Sequence, residues 1–206
     1  MKKLLLTIVF AAGAVFGATT EPAGPLPSGL DPAVAGVLQK DGIRVKDGDK
    51  VVCELWFGSK VPSGSKTAED NVSLSTTPHG ALMGVIRFPA PGFDRRGQSV
   101  KPGLYTMRLS FFPPNGDHQG VAPQRDFFVL TNAAEDKDPS ASPAFEPLTK
   151  LSMKASGTPH PLVFSVWKAD SDFKPGITQQ GEADWVLQTK IGELPVAMIV
   201  VGKVDH

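Results

Sequence analysis

Residues 104–112, LYTMRLSFF, alternate strictly: Tyr105, Met107, Leu109 and Phe111 fall on one side, and Thr106, Arg108 and Ser110 on the other. A period of two belongs to a β-strand, whose successive side chains point to opposite faces; on a helix the same residues would scatter around the axis. The pattern predicts a half-buried strand with its odd residues in a core. Lys101-Pro102-Gly103 lead into it. Proline presets φ and glycine tolerates positive φ, which predicts a type II turn at the strand's entrance.

Other segments carry the same punctuation. Residues 43–46 and 50–57 read as two strands joined at Asp47-Gly48, a hairpin signal. Residues 72–75 read as a short edge strand, and 81–88 as a strand ended by Pro89 and Pro91. Residues 125–131 follow the opening strand after a polar loop. Thr149, Leu151 and Met153 alternate with Lys150, Ser152 and Lys154, which reads as another strand after an acidic, proline-punctuated linker at 132–147. Strands are also expected at 161–168 and 183–191, and the almost wholly apolar 196–204 reads as a central strand covered on both faces. One short helix is expected after Asp31, an N-cap followed by Pro32, with Val34, Val37 and Leu38 on one face.

Eight to ten short strands with at most one helix predict an all-β, two-sheet antiparallel β-sandwich, with a closed barrel as the alternative. Alternating helices, the mark of an α/β enzyme scaffold, are missing from the pattern.

The first residues stand apart from this core. Lys2 and Lys3 precede an apolar run at 4–16, then Gly17 and Ala18. Residues 1–20 are expected to be a secretory signal peptide, cleaved near Gly17 or Thr20, and too short for a membrane span. Residues 21–30 are expected to be a flexible Pro/Gly leader, and 31–206 a single domain. No cysteine lies at the junction to carry a lipid anchor, so the expected location is periplasmic or secreted, without a membrane anchor after cleavage. The chain has 21 basic and 21 acidic side chains, two of the basic ones in the leader, so neither a nucleic-acid footprint nor a polybasic membrane patch is expected. The single cysteine, Cys53, shares strand parity with Leu55 and Phe57 and reads as a small buried hydrophobe.

Lys101-Pro102-Gly103-Leu104-Tyr105-Thr106, followed by an alternating strand, resembles the P-G-x-Y-T element of prealbumin-like and carboxypeptidase-regulatory-like domains. VCELWF, KPGLYTMRL, GDHQGVAPQRDF and LPVAMIVVGK together resemble a family of secreted bacterial proteins known only as a domain of unknown function. The resemblance implies a β-sandwich and carries over no catalytic residue.

Candidate chemistry concentrates in the loop at 115–126. Asp117, His118, Arg125 and Asp126 offer a metal or ligand site, or an Asp-oriented imidazole for a small hydrolase; the competing expectation is a polar turn with Arg125 and Asp126 as an ion pair. His79, His118 and His160 are candidate metal ligands that would have to converge through the fold, since no local metal-binding spacing exists. Asn115 with Asp117, or Glu135, Asp136 and Asp138, supply oxygen ligands without the spacing of a calcium loop, and Ser63-Gly64-Ser65-Lys66 matches S-x-x-K outside the helical context it needs. Trp56 and Trp167 lie opposite the apolar parity of their strands and are candidates for a sugar-stacking platform; Trp185 reads as core. The expectation is a non-enzymatic protein, without a cofactor, that binds a protein or small ligand through loops at one end. The alternatives are a carbohydrate- or metal-binding module or a small hydrolase.

Overall fold

The computed structural model describes residues 17–64, 69–113 and 124–202. Its strands are β1 (Ala18–Pro25), β2 (Asp41–Asp47), β3 (Lys50–Phe57), β4 (Leu82–Phe88), β5 (Gly92–Phe93), β6 (Ser99–Val100), β7 (Gly103–Phe111), β8 (Asp126–Asn132), β9 (Leu162–Lys168), β10 (Gly176–Gln180), β11 (Asp184–Ile191) and β12 (Leu194–Val201). Two helices join them, α1 (Pro32–Ala35) and α2 (Phe145–Ser156). Among the described residues ten strands pair in one sheet of order β1-β2-β3-β4-β7-β8-β9-β12-β11-β10, every ladder antiparallel; β5 and β6 form a separate hairpin. The end strands β1 and β10 lie beside each other, so the sheet curls into a nearly closed barrel. The all-β expectation holds. The expected division into two sheets is not drawn by the ladder, which runs unbroken through all ten strands.

Strand parity explains the interior. Cys53, Leu55 and Phe57 of β3, Met107 and Leu109 of β7, Phe128 and Leu130 of β8, and Val196 and Met198 of β12 meet in one core. Each such Leu or Phe contributes roughly 1.5–3 kcal/mol by leaving water. An irregularity in the β4–β7 register between Leu82 and Gly84 lets Met83 join this core while Leu82 and Val85 face the other way. Gly84 leaves room for Met107, whose methyl carbon would stand 2.9 Å from any Cβ placed there.

The outside of the sheet is also covered, which alternation alone does not foretell. Leu148 of α2 packs on Phe112, Phe127, Val129 and Val163. α1 and residues 23–30 cover Trp56, Leu82 and Val85, and Phe173 lies over Val186, Ala197 and Ile199. Thr106, Arg108 and Ser110 are therefore buried although they occupy the polar side of β7. That strand is buried on both faces, not one.

Four local expectations change. Residues 18–25, read as leader and signal junction, form β1, paired with β2 from Ala18–Asp47 to Pro25–Asp41. Residues 149–154 belong to α2, where Leu148 and Ser152 repeat at helical spacing on the buried face, and Pro147 sits in the first turn, where its missing N–H is harmless. Residues 72–75 form no strand, and Leu74 is simply inserted into the core. Gly103 lacks positive φ, so the type II turn is absent; the residue already pairs with Phe88, and a Cβ there would stand 3.3 Å from the Tyr105 ring. α1 does begin as expected, with Asp31 accepting from the Ala33 amide at 2.9 Å, and Gly48 turns the β2–β3 hairpin with φ +56.

Candidate binding site at the mouth of the barrel

β9 changes partner midway. Its first half pairs with β8 from Leu130–Leu162 to Phe127–Ser165, its second half with β12 from Met198–Val166 to Val196–Lys168. Below Met198, β12 keeps its ladder to β11 and separates from β9. The β5–β6 hairpin enters this wedge. Buried Asp94 accepts from the amides of Arg96 at 3.0 Å, Gln98 at 2.8 Å and Val163 at 3.2 Å, and the Arg95 amide donates to the Val163 carbonyl at 3.0 Å. Burial raises the Asp94 carboxyl above its usual range, a push that those backbone donors only partly offset. Arg95 then crosses the end of β12 and grips Asp184 on β11 at 2.5 and 3.0 Å.

The wedge leaves a cavity of about 160 Å³ at the end of the barrel where β3 begins and β12 ends. Phe164 and Val200 of the core form its floor, with Val52, Ile199 and Val201 beside them. Pro91, Gly92 and Phe93 form one wall; Phe93 is 51% exposed. Asp47, Lys50 and Arg95 stand at the rim. Asp47 and Lys50 face each other across the last pair of the β2–β3 ladder, yet form no ion pair among the described residues.

A larger groove of about 360 Å³ lies at the opposite end, between Val37, Leu38 and residues 58–63. Leu82 of β4 and Pro139 also line it, and none of its lining residues belongs to the interior core. The mouth cavity combines an apolar floor, an exposed aromatic wall and charged groups at the rim, as small-ligand sites at barrel mouths do.

The residues singled out from sequence are dispersed. Asp117 and His118 lie outside the described residues. Arg125 and Asp126 do not form an ion pair with each other; both clamp residues 69–74. Arg125 donates to the Phe112 carbonyl at 2.8 Å, the Asp70 carbonyl and the Glu69 carboxylate at 2.8 Å. Asp126 is buried and accepts from the Ser73 and Leu74 amides at 2.8 and 2.7 Å; burial, the largest influence, raises its carboxyl. Trp56 is buried, with its indole N–H on the Gly24 carbonyl at 3.1 Å, so it offers no stacking face. Trp167 is half-buried against Val186, Ala197 and Ile199. Trp185 is only partly buried.

His79 and His160 belong to different neighbourhoods. Nε2 of His79 meets the Ser110 hydroxyl at 2.9 Å, a hydrogen bond to the Pro143 backbone holds the ring, and burial keeps the imidazole below its usual pKa. This is the relation of a base to a serine, but Ser110 is wholly buried and no substrate reaches it. His160 is exposed, and its carbonyl accepts from Ser156 at 2.9 Å. No group of three His, Cys, Asp or Glu residues placed to hold a metal occurs among the described residues. Of the acidic run, Asp136 is bound by Arg108 and Glu135 by Lys154 at 2.8 Å. Cys53 is buried in the core, and burial drives its thiol pKa far up, in keeping with an inert hydrophobe.

Sequence reading missed Lys50, Phe93 and Arg95. Proline and glycine in PAPGF mark residues 89–93 as a turn, and the signal within it was Phe93, an aromatic in a loop with no strand parity to bury it. Compared with protein-family models, curated proteins and solved structures, the chain matches none.

Proposed function

We propose that this is an exported, non-enzymatic binding protein that takes its ligand at the mouth of the barrel. The reading rests on one observation: the cavity beneath the β5–β6 hairpin, floored by Phe164 and Val200 and rimmed by Asp47 and Lys50. Such a pocket supplies apolar contact for a ligand body and a few charged groups to orient it. The Lys2/Lys3 leader with its apolar run supports export to the periplasm or outside the cell.

The two-layer sandwich also enters this reading. β9 exchanges β8 for β12 at Val166, as strands do at the corners of packed sheets, and we take the barrel to work as two layers hinged there. The mouth opens at that hinge.

The test is an amide NMR titration with indole as a small apolar probe. Shifts gathered at Val52, Gly92, Phe93, Phe164 and Val200 are expected. Shifts scattered over the surface, or none at millimolar probe, would overturn the reading.

A further inference from the structure

We propose that the mouth takes a free α-amino acid with an aromatic side chain, its ring in the cavity, its ammonium on Asp47 and its carboxylate on Lys50. This rests on the binding reading above and names its ligand. Cavity size, strand parity and charge each narrow the choice.

The size is that of one ring. The cavity of about 160 Å³ lies over Phe164 and Val200, with Val52 at its side and half-exposed Phe93 as a wall. An apolar cavity of about 150 Å³ in another protein takes up benzene. Ile199 and Val200 are 3% and 4% exposed, and the β5–β6 hairpin fills the wedge beside them. No chain can lie along β12 there, so the polar end of the ligand stays at the rim.

Parity puts two charges at that rim. Val45 and Cys53 face each other inside the core, and Asp47 lies two residues beyond Val45 on the same face of β2. Lys50 is its partner on β3. The hairpin thus sets an acid and a base over the mouth, at positions where alternation would place apolar residues, and both are exposed.

Opposite charges at opposed positions ordinarily attract each other. Asp47 and Lys50 instead form no ion pair, with each other or with any described residue. A ligand carrying only a carboxylate would gain from Lys50 and be repelled by Asp47, and one carrying only an ammonium would meet the reverse. A zwitterion gains from both. Opposed residues of an antiparallel pair stand about 4.5–5.5 Å apart at Cα, so the two charges of the ligand must be close neighbours. An α-amino acid carries them on one carbon, a single methylene away from the ring.

The probe is L-phenylalanine, titrated into the intact exported protein at neutral pH and followed by amide NMR. Comparisons are phenethylamine, which lacks the carboxylate, 3-phenylpropanoate, which lacks the ammonium, glycine, which lacks the ring, and indole. Expected are shifts at residues 47–52 and at the cavity wall, with glycine silent. Phenylalanine should bind at least about threefold more tightly than either single-charge analogue, the scale of an exposed ion pair. Lys50→Met should weaken phenylalanine by about that factor and strengthen phenethylamine, whereas Asp47→Asn should weaken phenylalanine and strengthen 3-phenylpropanoate. A damaged fold would weaken every ligand alike, so these opposite signs separate recognition from damage. If indole shifts the cavity signals but phenylalanine binds no more tightly than the better of its two analogues, the amino-acid inference fails and the binding reading stands. If no probe shifts them, both fail.

Discussion

Arg108 on β7 and Asp136 in the connection to α2 form a two-point ion pair in the interior, Nε to Oδ2 and Nη2 to Oδ1, both at 2.6 Å. The other guanidinium hydrogens go to the carbonyls of Gly80 and Ala141 from Nη1 and of Asp138 from Nη2, so all five donors are used. Thr106 and Thr131 complete the carboxylate at 2.5 and 3.0 Å. One strand residue thereby ties residues 80 and 136–141 to the outside of the barrel.

Arg108→Met is expected to lower stability by about 3–5 kcal/mol, because it strands Asp136 in a buried site. Urea unfolding measures this. Arg108→Met combined with Asp136→Leu should recover a large part of the loss; a double variant as unstable as the sum of the singles would refute the pairing argument.

Acid should weaken the same cluster. Burial alone would raise the Asp136 carboxyl, but the hydrogen bonds from Arg108, then Thr106, outweigh it and hold the group below its usual range. A carboxylate with a lowered folded pKa contributes stability in full above its unfolded value of about 3.9 and loses it as pH falls through the folded value. The stability gap between wild type and Asp136→Asn should therefore stay constant above about pH 4 and shrink as pH falls below it.

His79 predicts a second pH effect, at milder acidity. Its imidazole is held below the ordinary value by burial, so the unfolded chain takes up the proton first. Stability from this group is complete above about pH 6.5 and declines as pH falls below it. His79→Gln should flatten the slope between pH 6.5 and 5 in denaturant titrations. An unchanged slope would count against a buried neutral His79.

Gly42→Ala tests steric packing without backbone strain. A Cβ at this position of β2 would stand 2.4 Å from the Trp56 ring, and Gly42 has no positive φ. Overpacking should cost about 1–3 kcal/mol. Displacement of Trp56 should appear as red-shifted tryptophan fluorescence.

If the chain is exported as proposed, its mature N-terminus should begin at Ala18, and an uncleaved product would count against that reading. Ala18, Thr19 and Thr20 pair with Asp47, Lys46 and Val45, so a cut after Thr20 would remove three pairs of the β1–β2 ladder. Intact mass of the exported protein decides between the two positions.

Much of the architecture was legible locally. The parity of Tyr105, Met107, Leu109 and Phe111 named the inner face of β7, Asp47-Gly48 named a hairpin, and Cys53 took its place in the core with Leu55 and Phe57. α2 was misread because Thr149, Leu151 and Met153 satisfy a period of two over a short run. Only Leu148 and Ser152, spaced by four, reveal the helix, and a serine carries no hydrophobic signal. β1 was misread because Pro22 and Pro25 argue against a strand; an end strand tolerates residues that lack a donor.

The candidate site was hardly legible. Lys50, Phe93, Phe164 and Val200 come from four separate stretches of chain and meet only because β9 leaves β12 for β8. Alternation and turn chemistry are properties of neighbouring residues, so the sequence by itself determined the long core strands such as β3, β4, β7 and β8, the inner face of β7, and one helix start. Which strands adjoin, where a ladder parts, and whether Arg108 faces water or Asp136 depend on contacts between distant residues. Those were decided only when the sheet curled and its outer face was covered.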